Sequence, residues 1–150
     1  MRTRIKQTNW QSDAANLIAI RYKVFVEEQG VPEDLEIDDH DDKAWHFLAI
    51  DDDINKPIAT ARLLADGHVG RMAVLEEYRS KKIGHLLLNS VLNLAKAKGI
   101  KALFLNAQLT AQRFYEKAGF ETEGEIFIDA GIEHVRMIKQ ITIVPSYDAL

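Results

Sequence analysis

From Val69 to Leu92 the chain reads VGRMAVLEEYRSKKIGHLLLNSVL, and this stretch decides the fold. A short apolar strand runs into the basic turn Arg79-Ser80-Lys81-Lys82-Ile83-Gly84, and a long amphipathic helix follows. The first backbone N–H groups of a helix have no partner within it, and here cations surround them, which makes a site for an anion such as pyrophosphate. The helix dipole adds about 0.3–1 kcal/mol per well-placed charge, and Gly84 permits close backbone approach. The turn has neither the Gly-x4-Gly-Lys-Ser/Thr pattern of a P-loop nor Gly-x-Gly-x-x-Gly, so the two commonest nucleotide fingerprints are excluded.

Outward from that unit, Ile83, Leu86, Leu87, Val91, Leu92 and Ala95 fall on one helical face, and Gly99 closes the helix. Ala102 to Leu105 is a near-continuous apolar strand, buried on both faces. On the N-terminal side, Trp45 to Ile50, Ile58 to Leu64 and His68 to Val74 form an antiparallel meander, joined by turns through Asp51-Asp52-Asp53 and Asp66-Gly67. Arg2 to Gln7 is a first strand, and Ser12 caps a helix carrying Leu17, Ile18, Tyr22 and Phe25 on its apolar side. Between Glu33 and Asp42 stand seven carboxylates, which predicts a solvated loop; some of them are candidates to line a pocket for a cationic amine. Lys43 and Ala49 occupy the positions where a calcium-binding loop of the EF-hand type needs glycine and glutamate, so that reading fails. A second helix covers Thr110 to Ala118, and Glu125 to Ile128 and Ile132 to about Ile143 are the last strands, followed by a tail from Val144 to Leu150. The strand–helix–strand unit from His68 to Leu105 requires a parallel pair, so the expectation is an α/β (α+β) fold with a mixed, mostly antiparallel sheet of about seven strands flanked by helices.

At 150 residues, with 47% hydrophobic and 28% charged content, the chain fits one domain, 1–150, with a core from about 2 to 143. A net charge of −4 argues against sequence-independent nucleic-acid binding, so no nucleic-acid partner is expected. With no cysteine, thiolate nucleophiles and cysteine-held metals are excluded. No apolar run approaches the roughly 18 residues of a membrane span, and the N-terminus lacks a leader pattern, so a cytoplasmic protein without membrane contact is expected.

The motifs resemble the GCN5-related N-acetyltransferases, the GNAT family. Arg79-x-x-Lys82-x-Gly84 aligns with the family's Gln/Arg-x-x-Gly-x-Gly/Ala, with Lys82 in place of the middle glycine. Ala102-Leu103-Phe104-Leu105-Asn106 and then Ala111-Gln112-Arg113-Phe114-Tyr115-Glu116-Lys117-Ala118-Gly119-Phe120 look like its fifth strand and following helix. The segment from Arg21 to Pro32, with Glu36, Asp38 and His46, is similar to a small bacterial branch typified by the ElaA and YjcF proteins. The resemblance implies acetyl-CoA as cosubstrate, held between a splayed parallel pair, the fourth and fifth strands. It implies that backbone groups of Met72, Ala73 and Val74 face the pantetheine arm, that Arg79, Ser80, Lys81, Lys82, Ile83, Gly84 and His85 hold the pyrophosphate, and that Asn106 and Tyr115 border the thioester. No metal is implied.

Transfer to an amine requires a group that takes the amine proton and one that protonates the departing thiolate. Tyr115 suits the second task, since a neutral phenol donates at pH 7, and only one of the adjacent Phe114 and Tyr115 is expected to pack in the core. Glu27, Glu28, His46 and His134 are the candidate bases, while His40, His68 and His85 read as surface residues. The expected activity is N-acetyl transfer to a primary amine of a small molecule or peptide by direct attack in a ternary complex. Two rivals are a non-catalytic acyl-CoA-binding module, motivated by Lys82 and the open choice of base, and an unrelated nucleotide-binding regulator. An exposed edge strand near the C-terminus offers a pairing surface for a homodimer.

Overall fold

A computed structural model describes residues 1–141; the expected strand end at Ile143, the core limit at 143 and the tail from Val144 to Leu150 lie outside them. The first strand, β1 (Thr3–Thr8), leads into α1 (Trp10–Arg21), whose cap is Asn9 and not Ser12. The Asn9 side chain accepts from the Ser12 N–H at 2.9 Å, so the expected capping residue is instead the capped one. The helix continues as a wider π-helical segment, Tyr22–Glu28, which shifts the inward face. Ile20 and Val24 are buried, while Tyr22 is exposed. A single turn, α2 (Glu33–Glu36), interrupts the acidic segment.

Three antiparallel strands follow: β2 (Trp45–Asp51), β3 (Lys56–Leu63) and β4 (Val69–Val74). With β1 they form one sheet in the order β1-β2-β3-β4. His46 through Asp51 and Ile58 through Leu63 are buried at every position, so this sheet is covered on both faces, one by α1 and the other by α3 (Ile83–Ala97). Leu87, Leu88, Val91 and Ala95 of α3 are buried; Leu88 replaces the expected Leu86, which is exposed. Each fully buried leucine contributes about 1.5–3 kcal/mol of apolar transfer.

The chain then enters a second sheet: β5 (Ala102–Gln108), α4 (Gln112–Lys117), β6 (Glu121–Asp129) and β7 (Ile132–Gln140), in the order β5-β7-β6 and antiparallel throughout. Its buried face carries Leu103, Leu105, Ala107, Val135 and Met137. The strand expected at Glu125 to Ile128 is more than twice that long, because β6 is an exposed outer strand whose residues do not alternate in polarity. The expected fold thus holds, seven strands flanked by helices, with the sheet divided in two at the parallel pair. No helix among the described residues is long and apolar enough to cross a membrane.

Candidate active site

The two sheets touch along β4 and β5 at one place. The Phe104 N–H donates to the Gly67 carbonyl at 3.1 Å, and His68 makes a single parallel bridge to Phe104. Gly67 has φ of 98°, and a Cβ there would overlap the Ala102 carbonyl, so only glycine lets the strands pass this closely. Beyond that hinge the strands carry no shared ladder and splay into a cleft.

A β-bulge shapes the β4 wall. Thr60 pairs with Ala73 and Arg62 with Gly70, so Arg71 and Met72 together oppose Ala61. Arg71 takes φ of 49°, a left-handed conformation that is costly for a residue with a Cβ. Its guanidinium holds it there by donating to the Glu36 carbonyl at 3.0 Å and to Asp38 at 3.1 Å. Met72 lies toward the other side of the cleft, its Sδ 3.5 Å from the Tyr115 hydroxyl.

At the head of α3 the basic turn supplies an anion cradle. Ser80 and Lys82 both adopt left-handed backbone, with φ of 66° and 63°, and the first helical bond runs from the Leu86 N–H to the Lys82 carbonyl. Among the described residues, the six consecutive amides from Ser80 to His85 have no protein acceptor. Alternating right- and left-handed residues turn successive N–H groups into one concavity, the arrangement that binds phosphate. Lys82 therefore fills its glycine-like position by accepting the strained conformation, and its side chain is exposed. A Cβ on Gly84 would lie 3.2 Å from the Phe114 ring, so this glycine also admits α4 against the turn. Phosphates fit this cradle by amide count and charge.

Tyr115 stands at the bottom of the same side. Phe114, at 5.0 Å between ring centroids, and Phe120, at 5.8 Å, both meet it edge-on. Phe114 in turn packs on His85, so both neighbouring aromatics pack, contrary to the expectation that only one does. Burial pushes the Tyr115 phenol up to about 12, which keeps it protonated at neutral pH. Backbone of Met72, Ala73 and Val74 lines the β4 side of the cleft.

The candidate bases separate clearly. The Glu28 carboxylate accepts from Arg79 at 2.9 Å, while Arg79 Nε donates to the Val74 carbonyl at 3.0 Å, so Glu28 ties the π-helical segment to the basic turn. Glu27 is exposed and makes no hydrogen bond among the described residues. His46 is buried, with Nε2 donating to the Asp41 carbonyl at 2.8 Å, and burial pushes its imidazole down. His134 puts Nδ1 2.7 Å from the Ile132 carbonyl, which fixes the proton of the neutral ring on Nδ1 and leaves the Nε2 lone pair to accept. By register it shares one face of the second sheet with Phe104, Asn106, Gln108 and Arg136. Gln108 exchanges hydrogen bonds with Gln29, so that face turns toward the end of the π-helical segment. Asn106 is exposed on it. His68, expected at the surface, is half-buried and stacks on Phe104 at 4.8 Å.

The acidic segment is solvated only in part: Glu33, Asp34, Asp39 and Asp42 are exposed, as expected, but three of its carboxylates are engaged. Glu36 and Asp41 are buried and grip Arg21, Asp41 also receives Arg62 at 3.0 Å, and Asp38 receives Arg62 at 2.7 Å and Arg71 at 3.1 Å. Carboxylates expected to attract a cationic amine are therefore engaged by three arginines distant in sequence. The sequence did carry a signal for them: Arg21 and Arg62 sit at positions that the helical and strand patterns reserve for buried side chains.

The acetyltransferase (GNAT) domain family model matches residues 11–141. YjcF of Bacillus subtilis, described as an uncharacterized N-acetyltransferase, is 36% identical over 124 residues, covering 80% of this chain and 87% of that protein. The crystal structure of an acyl-CoA N-acyltransferase from Pseudomonas aeruginosa superposes with a TM-score of 0.81 at 26% identity, over 92% of this chain and 99% of that one. That of Escherichia coli ElaA gives 0.80 at 27% identity, over 91% and 99%. Motif, cleft and relatives agree, and the chain belongs to the GNAT acetyltransferase family.

Proposed function

We propose that this protein transfers an acetyl group from acetyl-CoA to the primary amine of a small molecule or peptide, by direct attack in a ternary complex. The observation that carries the reading is the run of six unpartnered amides from Ser80 to His85 among the described residues, set beside a cleft that ends at a half-buried, protonated tyrosine. When bound, acetyl-CoA supplies an acyl group activated as a thioester. The Ser80–His85 amides, with Lys81 and Lys82 among them, would bind its diphosphate, and the backbone of Met72 to Val74 would orient the arm.

As the N–C bond forms and the C–S bond breaks, the amine loses a proton and the sulfur gains one. Tyr115 donates to the departing thiolate from a hydroxyl whose only neighbour within hydrogen-bond distance among the described residues is the weak acceptor Met72 Sδ. His134 is the base favoured here, because its Nε2 is the acceptor nitrogen, whereas the Glu28 carboxylate is neutralised by Arg79. Asn106, exposed on β5, would offer the thioester a polar contact. A cytoplasmic location and the absence of nucleic-acid, membrane or metal partners complete the reading. Of the second sheet's outer strands, β6 exposes Ile126 and Ile128 and is the edge on which a second copy would pair.

The alternative, a sensor that binds acyl-CoA without turnover, draws support from the Glu28–Arg79 pair, which uses up one candidate base. Calorimetry with acetyl-CoA together with thiol release over an amine panel tests the proposal. Binding with amine-dependent thiol release supports transfer; binding without release from any amine supports the sensor.

A further inference from the structure

On the face of the cleft away from the basic turn, cationic groups gather around one aromatic ring. Phe104, at the hinge where β4 meets β5, has two neighbours: His68 stacks on it at 4.8 Å, and the Arg136 guanidinium lies over it with Cζ 4.5 Å from the ring centroid. Arg136 makes no hydrogen bond among the described residues; its nearest carboxylate is Glu123, 3.5 Å away on the outer strand, and 44% of its side chain is exposed. Arg71 rises from the bulge on the opposite wall. Its Nε and one terminal nitrogen are anchored to the Glu36 carbonyl and Asp38, and the other terminal nitrogen has no acceptor among the described residues. Behind both lies Arg62, which is buried and whose Nε has no hydrogen-bond partner among the described residues.

These charges act on one place. Burial pushes the His68 imidazole down, Arg62, Arg71 and Arg136 push it the same way, and only Asp66 opposes them. His68 is thus neutral at pH 7 and adds an aromatic wall without adding charge. The carboxylates of the acidic segment are shared among Arg21, Arg62 and Arg71, so the free donors of Arg71 and Arg136 are left for a ligand. Two guanidinium groups with donors to spare, one on each wall, match a planar carboxylate, which accepts two parallel N–H bonds from such a fork.

We propose that the acceptor amine also bears a carboxylate, and that Arg71 and Arg136 receive that carboxylate beside Phe104, making an amino-carboxylate the substrate class of this site. The strained backbone of Arg71 fits this role. A left-handed non-glycine residue is costly, and two hydrogen bonds to the acidic segment hold the Arg71 guanidinium in one place with one terminal nitrogen to spare. The inference rests on the acetyl-transfer reading for its placement but not for its measurement.

Two readouts keep them apart. Matched pairs of amines, linear ω-amino acids and α-amino acids against their carboxamides, are assayed for acetyl transfer, and the binding of each pair to the CoA-saturated protein is measured by calorimetry. Loss of a charge-assisted contact corresponds to about a tenfold effect, so carboxylates are expected to exceed their carboxamides by about tenfold or more in both kcat/KM and affinity. Arg136→Gln is expected to collapse that ratio toward one, with Arg136→Lys recovering part of it as a point charge. Arg136 is the residue to change because Arg71 also supports the bulge. Tighter carboxylate binding with no transfer upholds the inference and overturns the transfer reading. Carboxylates and carboxamides bound or acetylated equally, or a ratio that survives Arg136→Gln, overturn the inference.

Discussion

Among single residues, the proposed chemistry rests most directly on Tyr115. Tyr115 has a phenol that burial holds at about 12, so it remains a donor across the whole working range and imposes no alkaline limit on activity below about pH 11. Tyr115→Phe keeps the ring packed against Phe114 and Phe120 and removes only the proton; kcat is expected to fall by about 10²–10⁴-fold with acetyl-CoA affinity unchanged, measured by steady-state kinetics beside calorimetry. An unaltered kcat removes the tyrosine from the mechanism. Lys82 illustrates what one residue type hides. In the sequence it interrupts a glycine motif, yet the structure shows it in the glycine-like conformation at φ of 63°, leaving the amides in place. Relief of about 1–2 kcal/mol of left-handed strain exceeds the roughly 0.4–1 kcal/mol that glycine's freedom returns to the unfolded chain, so Lys82→Gly is expected to raise unfolding stability by up to about 1 kcal/mol in urea titration. A loss of stability would show that the Lys82 side chain makes a contact worth more than the strain.

Among elements, the ones written in a single period were legible and the ones held by distant charge were not. Helix α3 and the meander of β2, β3 and β4 follow from apolar spacing and turn residues alone. The π-helical segment escaped because Tyr22 and Phe25 fit ordinary helical spacing, and the extra residue per turn that buries Val24 leaves no mark in composition. The acidic segment was misjudged because a run of carboxylates, counted locally, repels itself; the count cannot see that Arg21, Arg62 and Arg71 return to it from a helix and two strands. That network gives this part of the molecule a pH signature. Burial pushes the Asp41 and Asp38 carboxyls up, but the guanidiniums of Arg21 and Arg62 at Asp41, and of Arg62 and Arg71 at Asp38, outweigh it and hold both below the usual range. Their stabilisation is present above about pH 3.9 and is lost as pH falls through the lowered native values. Burial pushes His46 down as well, so below about pH 6.5 the unfolded chain takes up a proton that the native ring refuses, and stability falls in the same direction. Asp41→Asn leaves Arg21 and Arg62 without their shared carboxylate and is expected to cost about 3–5 kcal/mol at pH 7, and to flatten the loss between pH 4 and 2. Denaturant titrations across that range check both, and an unchanged acid limb would place the sensitivity elsewhere.

At the scale of the whole molecule, two antiparallel sheets joined at Phe104 and the Gly67–His68 turn leave a cleft with two chemically distinct sides. One holds the amide cradle, Met72 and Tyr115; the other holds Arg71, Arg136 and His134. The cradle and Met72 were readable in the sequence because they are contiguous along the strand, turn and helix, and Tyr115 because its segment resembles the family's. Of the second side, only His134 was, because register alone brings Arg136 of β7 to Phe104 of β5, and the bulge that sets Arg71 leaves no mark in the local pattern. The proposed reaction depends on the coenzyme's diphosphate resting on the head of α3. Amide proton–nitrogen NMR of the labelled protein, titrated with CoA, tests that most directly. The expected result is that the resonances of Ser80 to His85 shift most and move downfield, as amides do on gaining an anionic acceptor, with smaller changes at Met72 to Val74. Saturable shifts confined to other segments, with Ser80 to His85 unmoved, would contradict it.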